Sequence, residues 1–295
     1  VKLHGKMWFD ENDIRTWLVD APTGSWGRTD TYEGTRAMEQ REFANVLCNG
    51  CGQWWFDMGG GWYDDQRILA DIGQMKSIAE RSVAWDRSPA AEVALIVDDT
   101  SLAYMQTGNR LTLPLMMYQL PEMGRIGAPF AYYQLDDIAE MPDMKVYVFV
   151  NAFALSDKQV AAIRRKVRRS GAHAVWVYAA GVIRDGALSP KSAQEVTGIR
   201  LGWSEREGLL RVRAAGGDPL TEGLEGVEYG FGEALGPVFY ADDAEATVLG
   251  ALSEIDRPGL VVRRFDDWTS IYSAAPILPA RLLHNIARSA GVHLY

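Results

Sequence analysis

Near-continuous apolar runs of strand length constrain this chain more than any other feature. EVALIVDD from Glu92, KVYVFVNAF from Lys145 and AVWVYAAGV from Ala174 show no alternation of polar and apolar residues through their centres. Strands that read this way are covered on both faces, the condition of a parallel sheet with helices above and below it. FAYYQLDD, from Phe130, adds a further strand. Helices are predicted over 114–125, bent at Pro121, and over 157–169, where RRKVRR forms a solvated face. Residues 208–251 are richer in glycine and read as shorter strands and turns. The chain closes with GLVVRRFDDWTSIYSAA and a helix over 279–290, whose first turn tolerates Pro279. This alternation predicts an α/β fold built on a doubly wound parallel sheet.

The first 88 residues repeat the grammar on a smaller scale. An apolar run at Lys6–Phe9 leads through a polar loop containing TGSWGRTDT to a helix over 35–47. The run Gln53–Met58 follows, and then a helix capped by Asp64 or Asp65 with Ile68, Ile72, Met75 and Ala79 at helical spacing. Strand, helix, strand, helix is the rhythm of an α/β barrel or a parallel sheet, although two units cannot close a barrel. DRSPAAE, Asp86 to Glu92, is the predicted linker, so the predicted domains are 1–88 and 89–295.

The net charge of −9 argues against nucleic acid and against an anionic membrane surface as partners. No apolar run approaches the roughly 20 residues that span a bilayer. VKLHGKMWFD lacks the layout of a signal peptide, so the expected location is cytoplasmic; it begins with Val, as the later part of a longer chain would. Cys48 and Cys51 form a CxxC pair that ends a helix and enters a strand, the wrong order for a thioredoxin-like site. The four histidines are scattered, too far from the pair in sequence to complete a zinc site, and read as structural. There is no P-loop and no GxSxG elbow.

Two clusters carry possible chemistry. In GQWWFDMGGGWYDD, strand alternation would set Gln53, Trp55 and Asp57 on one side and Trp54, Phe56 and Met58 on the other. Trp55 and Asp57 would stand near the mouth of a barrel, Gly59–Gly61 would let backbone approach a ligand, and Trp62 and Tyr63 would line the rim. Aromatic faces beside carboxylates suit a sugar, whose C–H face stacks while its hydroxyls need acceptors. Core aromatics beside a turn would read the same way. In KMWFDENDIRTW, Asp10, Glu11 and Asp13 end a short strand, where barrel enzymes place catalytic groups, and Arg15 could hold one carboxylate ionised. A charged loop after a strand is the plainer alternative.

Together the clusters resemble the last two strand–helix units of a clan A glycoside hydrolase barrel, closest to the family 42 β-galactosidases. That family's seventh strand reads roughly K-x-x-W-x-x-E and ends in the catalytic nucleophile. Trp8 stands three residues before Glu11, so the resemblance assigns Glu11 that role; Lys6 is one place closer than the pattern, which keeps Asp10 as the alternative. The remainder is similar to the family's flavodoxin-like, class I glutamine amidotransferase-like domain, which trimerises. The stretch VYAAGVI lacks that enzyme's nucleophilic Cys, implying a catalytically silent domain. The resemblance thus implies a retaining hydrolase of β-galactoside-like sugars, a homotrimer, a carbohydrate substrate and no cofactor or metal. The family's acid/base lies in an Asn-Glu pair on the fourth strand, and no Asn-Glu dipeptide occurs here. A non-catalytic carbohydrate-binding or assembly module is the rival reading.

Overall fold

A computed structural model describes residues 2–86 and 88–295; Val1, and Arg87 within the predicted linker, lie outside the described residues. The chain falls into two compact units, Val1–Pro89 and Ala90–Tyr295.

In the first unit, β1 (Phe9–Asn12) and β2 (Gly52–Trp55) form a two-stranded parallel sheet, each followed by a helix: α1 (Tyr32–Asn49) and α2 (Gln66–Ser82). Thr31 caps α1 by accepting the Gly34 amide at 3.1 Å, so the helix starts at Tyr32, three residues before the predicted start. Gly50, left-handed at φ 65°, stops the helix, with the Gly50 amide on Leu47 and the Cys51 amide on Val46. That stop fixes where β2 can begin, at Gly52 rather than Gln53. A Cβ at Gly52 would lie 2.7 Å from the Phe9 ring, so glycine here locks Phe9 opposite it. The first strand is therefore Phe9–Asn12 and not the apolar run Lys6–Phe9, and Met7 and Trp8 are left exposed. Asp65, not Asp64, caps α2 through the Arg67 amide at 2.8 Å.

The second unit contains β3 (Val93–Val97), α3 (Asp99–Leu102), α4 (Gln119–Met123), β4 (Phe130–Gln134), β5 (Val146–Phe149), α5 (Asp157–Ser170) and β6 (His173–Val177). After β7 (Ile183–Arg184), β8 (Ala187–Leu188) and α6 (Pro190–Thr197) come β9 (Leu201–Ser204), β10 (Gly208–Ala214), β11 (Glu228–Leu235) and β12 (Val238–Ala241). The chain ends with β13 (Thr247–Leu252), β14 (Pro258–Arg264), β15 (Thr269–Ser273) and α7 (Ala280–Ser289). Nine strands make one sheet in the order β11-β10-β13-β14-β15-β6-β5-β3-β4. The run β4-β3-β5-β6-β15 is parallel throughout, and β14, β13, β10 and β11 extend it in antiparallel fashion.

The apolar runs are the buried parallel strands: every residue of β3, β5 and Ala174–Val177 is at most 2% exposed. Phe149 stacks on Trp176 with centroids 4.3 Å apart. The antiparallel half occupies the glycine-rich stretch, and β14–β15 is a hairpin that sequence gave as one closing segment. Instead of one bent helix over 114–125, a π-type turn at Leu113–Met117 precedes the short α4, which contains Pro121. Pro279 stands just before α7 as its cap. No helix among the described residues is long and apolar enough to cross a membrane.

Candidate functional site

The sides of the small sheet are defined by a buried carboxyl. Thr35, Glu39, Phe43 and Val46 form the buried stripe of α1, and Glu39 accepts from Asn12 Nδ2 at 2.6 Å and from Trp55 Nε1 at 2.8 Å. Asn12 and Trp55 are register partners, so that face of the sheet looks toward α1. Burial raises the Glu39 carboxyl to about 7 against the pull of its two donors, with Glu42 adding to the rise. Its Oε1 and both amide atoms of Gln53 are buried without a hydrogen-bond partner.

Alternation then sends Phe9 and Glu11, with their partners Gly52 and Trp54, to the opposite face. Glu11 is exposed there, beside a Trp54 that is 42% exposed and a Phe9 that is 55% exposed. The indole standing next to Glu11 is therefore Trp54. Trp55 lies on the helix side with its N–H bonded to Glu39. Asp10 also falls on the helix side, where burial, then Glu42 and Asp13, raise its carboxyl.

At the carboxyl ends of the strands the remaining candidates are engaged with one another. Asp57 accepts the Gly60 amide at 2.8 Å and the Trp62 amide at 3.2 Å, closing the glycine turn. Trp62 is buried, and its carbonyl accepts the Thr16 hydroxyl. Tyr63 donates to the carbonyls of Phe56 at 3.3 Å and Asn12 at 3.4 Å, and burial, then Glu39 and Asp57, raise its hydroxyl well above the tyrosine range. Arg15 pairs with Asp13 at 3.1 Å rather than with Glu11 or Asp10, and its guanidinium lies 4.6 Å from the Trp26 ring centroid and 4.7 Å from that of Trp62. Hydrogen bonding to Arg67 lowers the Asp65 carboxyl to about 2. A cleft of about 230 Å³ opens among Asp10, Glu11, Asp13, Trp26, Arg41 and Glu42.

Glu39 and Trp26 were missed by sequence reasoning. Glu39 had a readable signal, since it falls four residues from Thr35 and from Phe43 on one helix face. Trp26 had none, because its exposure depends on the fold of a polar loop. No disulfide joins Cys48 to Cys51, and no group of three or more potential metal ligands occurs among the described residues.

In the second unit, polar groups at the strand ends satisfy one another. The Asp98 amide donates to Asn151 Oδ1 at 2.8 Å and Asn151 Nδ2 donates to the Asp98 carbonyl at 2.8 Å. The Asp98 carboxyl takes the Ser101 amide and hydroxyl, and Ser101 Oγ in turn accepts the amides of Phe153 and Ala154 at 2.9 Å each. Burial raises the Asp98 carboxyl against those hydrogen bonds. Tyr178, at the end of β6 with φ 62°, donates its hydroxyl to the Pro237 carbonyl at 2.6 Å.

No protein-family model and no curated protein matches the chain. Solved structures do. The β-galactosidase of Rahnella sp. R3 gives a TM-score of 0.64 at 16% identity over 86% of this chain and 41% of that one. A GH42 β-galactosidase from G. stearothermophilus gives 0.61 at 13% identity over 88% of this chain and 41% of that one. The β-galactosidase of Halorubrum lacusprofundi gives 0.63 at 14% identity over 90% and 41%. The chain is similar in fold to the C-terminal region of GH42 β-galactosidases. It spans about 41% of the length of these three proteins. At such identities the likeness speaks for the fold, a mixed α/β arrangement with one large sheet, and leaves residue roles to be argued from the site.

Proposed function

We propose that the first unit supplies the last two strand–helix units of a TIM-type glycoside hydrolase barrel acting on β-galactoside-like sugars, and that the second is a flavodoxin-like association domain. The observation that carries this is the pairing of Glu11 with Trp54 on the face away from α1, at the carboxyl end of a parallel strand. In a barrel that face looks into the lumen, and strand ends there bear the catalytic groups. Each strand of the small sheet has one partner among the described residues, and a barrel would give it a second. Exposed Met7, Trp8 and Phe9 would then be covered. Alternation favours Glu11 over Asp10 as the nucleophile of a retaining reaction, because Asp10 faces α1. Arg15, Asp57, Trp62 and Tyr63 act as supports that hold the rim, and Trp54 replaces Trp55 as the indole beside the reacting sugar. For the second unit, the parallel strands taken in chain order run 2-1-3-4-5, the flavodoxin-like order. The closed Asp98–Ser101–Asn151 network at its switch point supports a silent, assembling role, with trimers as the expected assembly.

Retaining hydrolysis needs a second carboxyl as acid/base. Asp57 is bound to two backbone amides, Asp13 to Arg15, and Asp65 is held ionised by Arg67. These engagements favour a second reading, in which this chain by itself binds carbohydrate without cleaving it and the acid/base comes from outside it. The test is turnover of aryl β-galactosides by the full-length protein. Glu11→Gln should abolish it while leaving sugar binding, and unchanged turnover removes Glu11 from the mechanism.

A further inference from the structure

A buried carboxyl lies directly behind the open face of the small sheet. Glu39 is 2% exposed, its Oε1 has no hydrogen-bond partner, and burial raises it against the pull of its two donors. Filling this space alone would call for an apolar side chain, which carries no such penalty. What the carboxyl does instead is join two strands through one atom. Its Oε2 accepts from Asn12 Nδ2 at 2.6 Å and from Trp55 Nε1 at 2.8 Å, and these are the last residues of β1 and β2. Asn12 is itself 2% exposed, and its Oδ1 accepts the Ile14 amide at 3.1 Å, so the side chain is held at both ends. Strand ends are where a two-stranded sheet opens most readily. One residue back on each strand, on the other face, stand Glu11 and Trp54.

We propose that Glu39 is a positioning residue that fixes Glu11 relative to Trp54 from behind the sheet, holding the first through Asn12 and the second through Trp55. This rests on the reading of Glu11 as the reacting carboxylate. The backbone ladder sets the register, and the shared oxygen then fixes the spacing of the two strands at the rung where the chemistry stands. Small displacements matter there, since a reacting group moved by about 1 Å can lose a hundredfold in rate. The two arms also act on different groups. Releasing the Asn12 arm loosens the attacking carboxylate and lowers kcat, whereas releasing the Trp55 arm loosens the sugar platform and raises KM. A residue that merely filled the core would give no such division.

Steady-state turnover of an aryl β-galactoside by the full-length protein, with a thermal melt of each variant, tests this. Glu39→Leu keeps the bulk and removes the acceptor, and should lower kcat/KM about a hundredfold. Glu39→Gln keeps an acceptor oxygen and should restore kcat/KM to within about fivefold of the unaltered protein. Asn12→Leu should lower kcat about tenfold with KM level, and Trp55→Phe should raise KM about tenfold with kcat level. Equal losses in Glu39→Leu and Glu39→Gln that follow their melting temperatures would make Glu39 structural and overturn the proposal. If Glu39→Leu fails to fold, the other pair decides: Asn12→Leu and Trp55→Phe changing kcat and KM alike would overturn it. Full turnover by Glu39→Leu, with Glu11→Gln inactive, would overturn it while leaving the hydrolase reading intact. No turnover by the unaltered protein would overturn both.

Discussion

The two units use the same strand–helix alternation and end in opposite conditions. In the second, β3, β5 and β6 are buried and the polar groups at their ends are closed into hydrogen bonds among Asp98, Ser101 and Asn151. In the first, a two-stranded sheet keeps one face open, with Phe9, Glu11 and Trp54 exposed on it. A satisfied strand end has nothing left to offer a ligand, whereas an open one does. Under the proposed function, the chemistry belongs to the smaller unit and the cohesion to the larger.

Core truncation should break the contrast most strongly. Phe149→Ala removes a ring stacked between Tyr147 and Trp176, and should cost about 3–5 kcal/mol of the second unit's stability in chemical denaturation. Next comes Glu39. Its carboxyl ordinarily ionises near 4.5 and is raised to about 7 in the fold, so the folded form holds the proton more tightly. The stability this gives is fully present below about pH 4.5 and is lost as pH rises through about 7. The loss amounts to about 3 kcal/mol. Denaturation at pH 5 and pH 8 should show the first unit weaker at pH 8, and Glu39→Gln should flatten the difference.

Ser101→Ala strips a hydroxyl that serves Asp98 and two backbone amides, and should cost the second unit about 1–3 kcal/mol. Trp54→Ala should change stability least, within about 0.5 kcal/mol, because its side chain lies on the open face. A large loss on Trp54→Ala would mean that face is already packed and would undo the contrast.

How much of this was legible follows the same division. Uninterrupted runs such as VALIV and VYVFV leave a buried parallel strand as the natural reading, and no distant residue was needed to see it. The antiparallel extension was less legible, since β10–β14 are held by pairings between segments whose own patterns are weak. In the first unit the catalytic-looking stretch was visible, but its sides were not. Gln53, Trp55 and Asp57 look like one polar lumenal face until Glu39, fourteen residues before Gln53 and on a helix, takes the Trp55 N–H. Strand alternation tells which residues share a side; only a neighbour tells which side is which. Trp26 was beyond reach for a further reason: nothing local in TGSWGRT says that the indole would be exposed.

The account's central claim is that Glu11, on the open face beside Trp54, is the attacking carboxylate. A fluorinated galactosyl donor with an activated leaving group needs no acid to depart, so it can trap the nucleophile whatever the acid/base is. Peptide mass spectrometry of the labelled full-length protein should find one galactosyl adduct, carried by Glu11. Label on Asp10, on another carboxylate, or on none would contradict it.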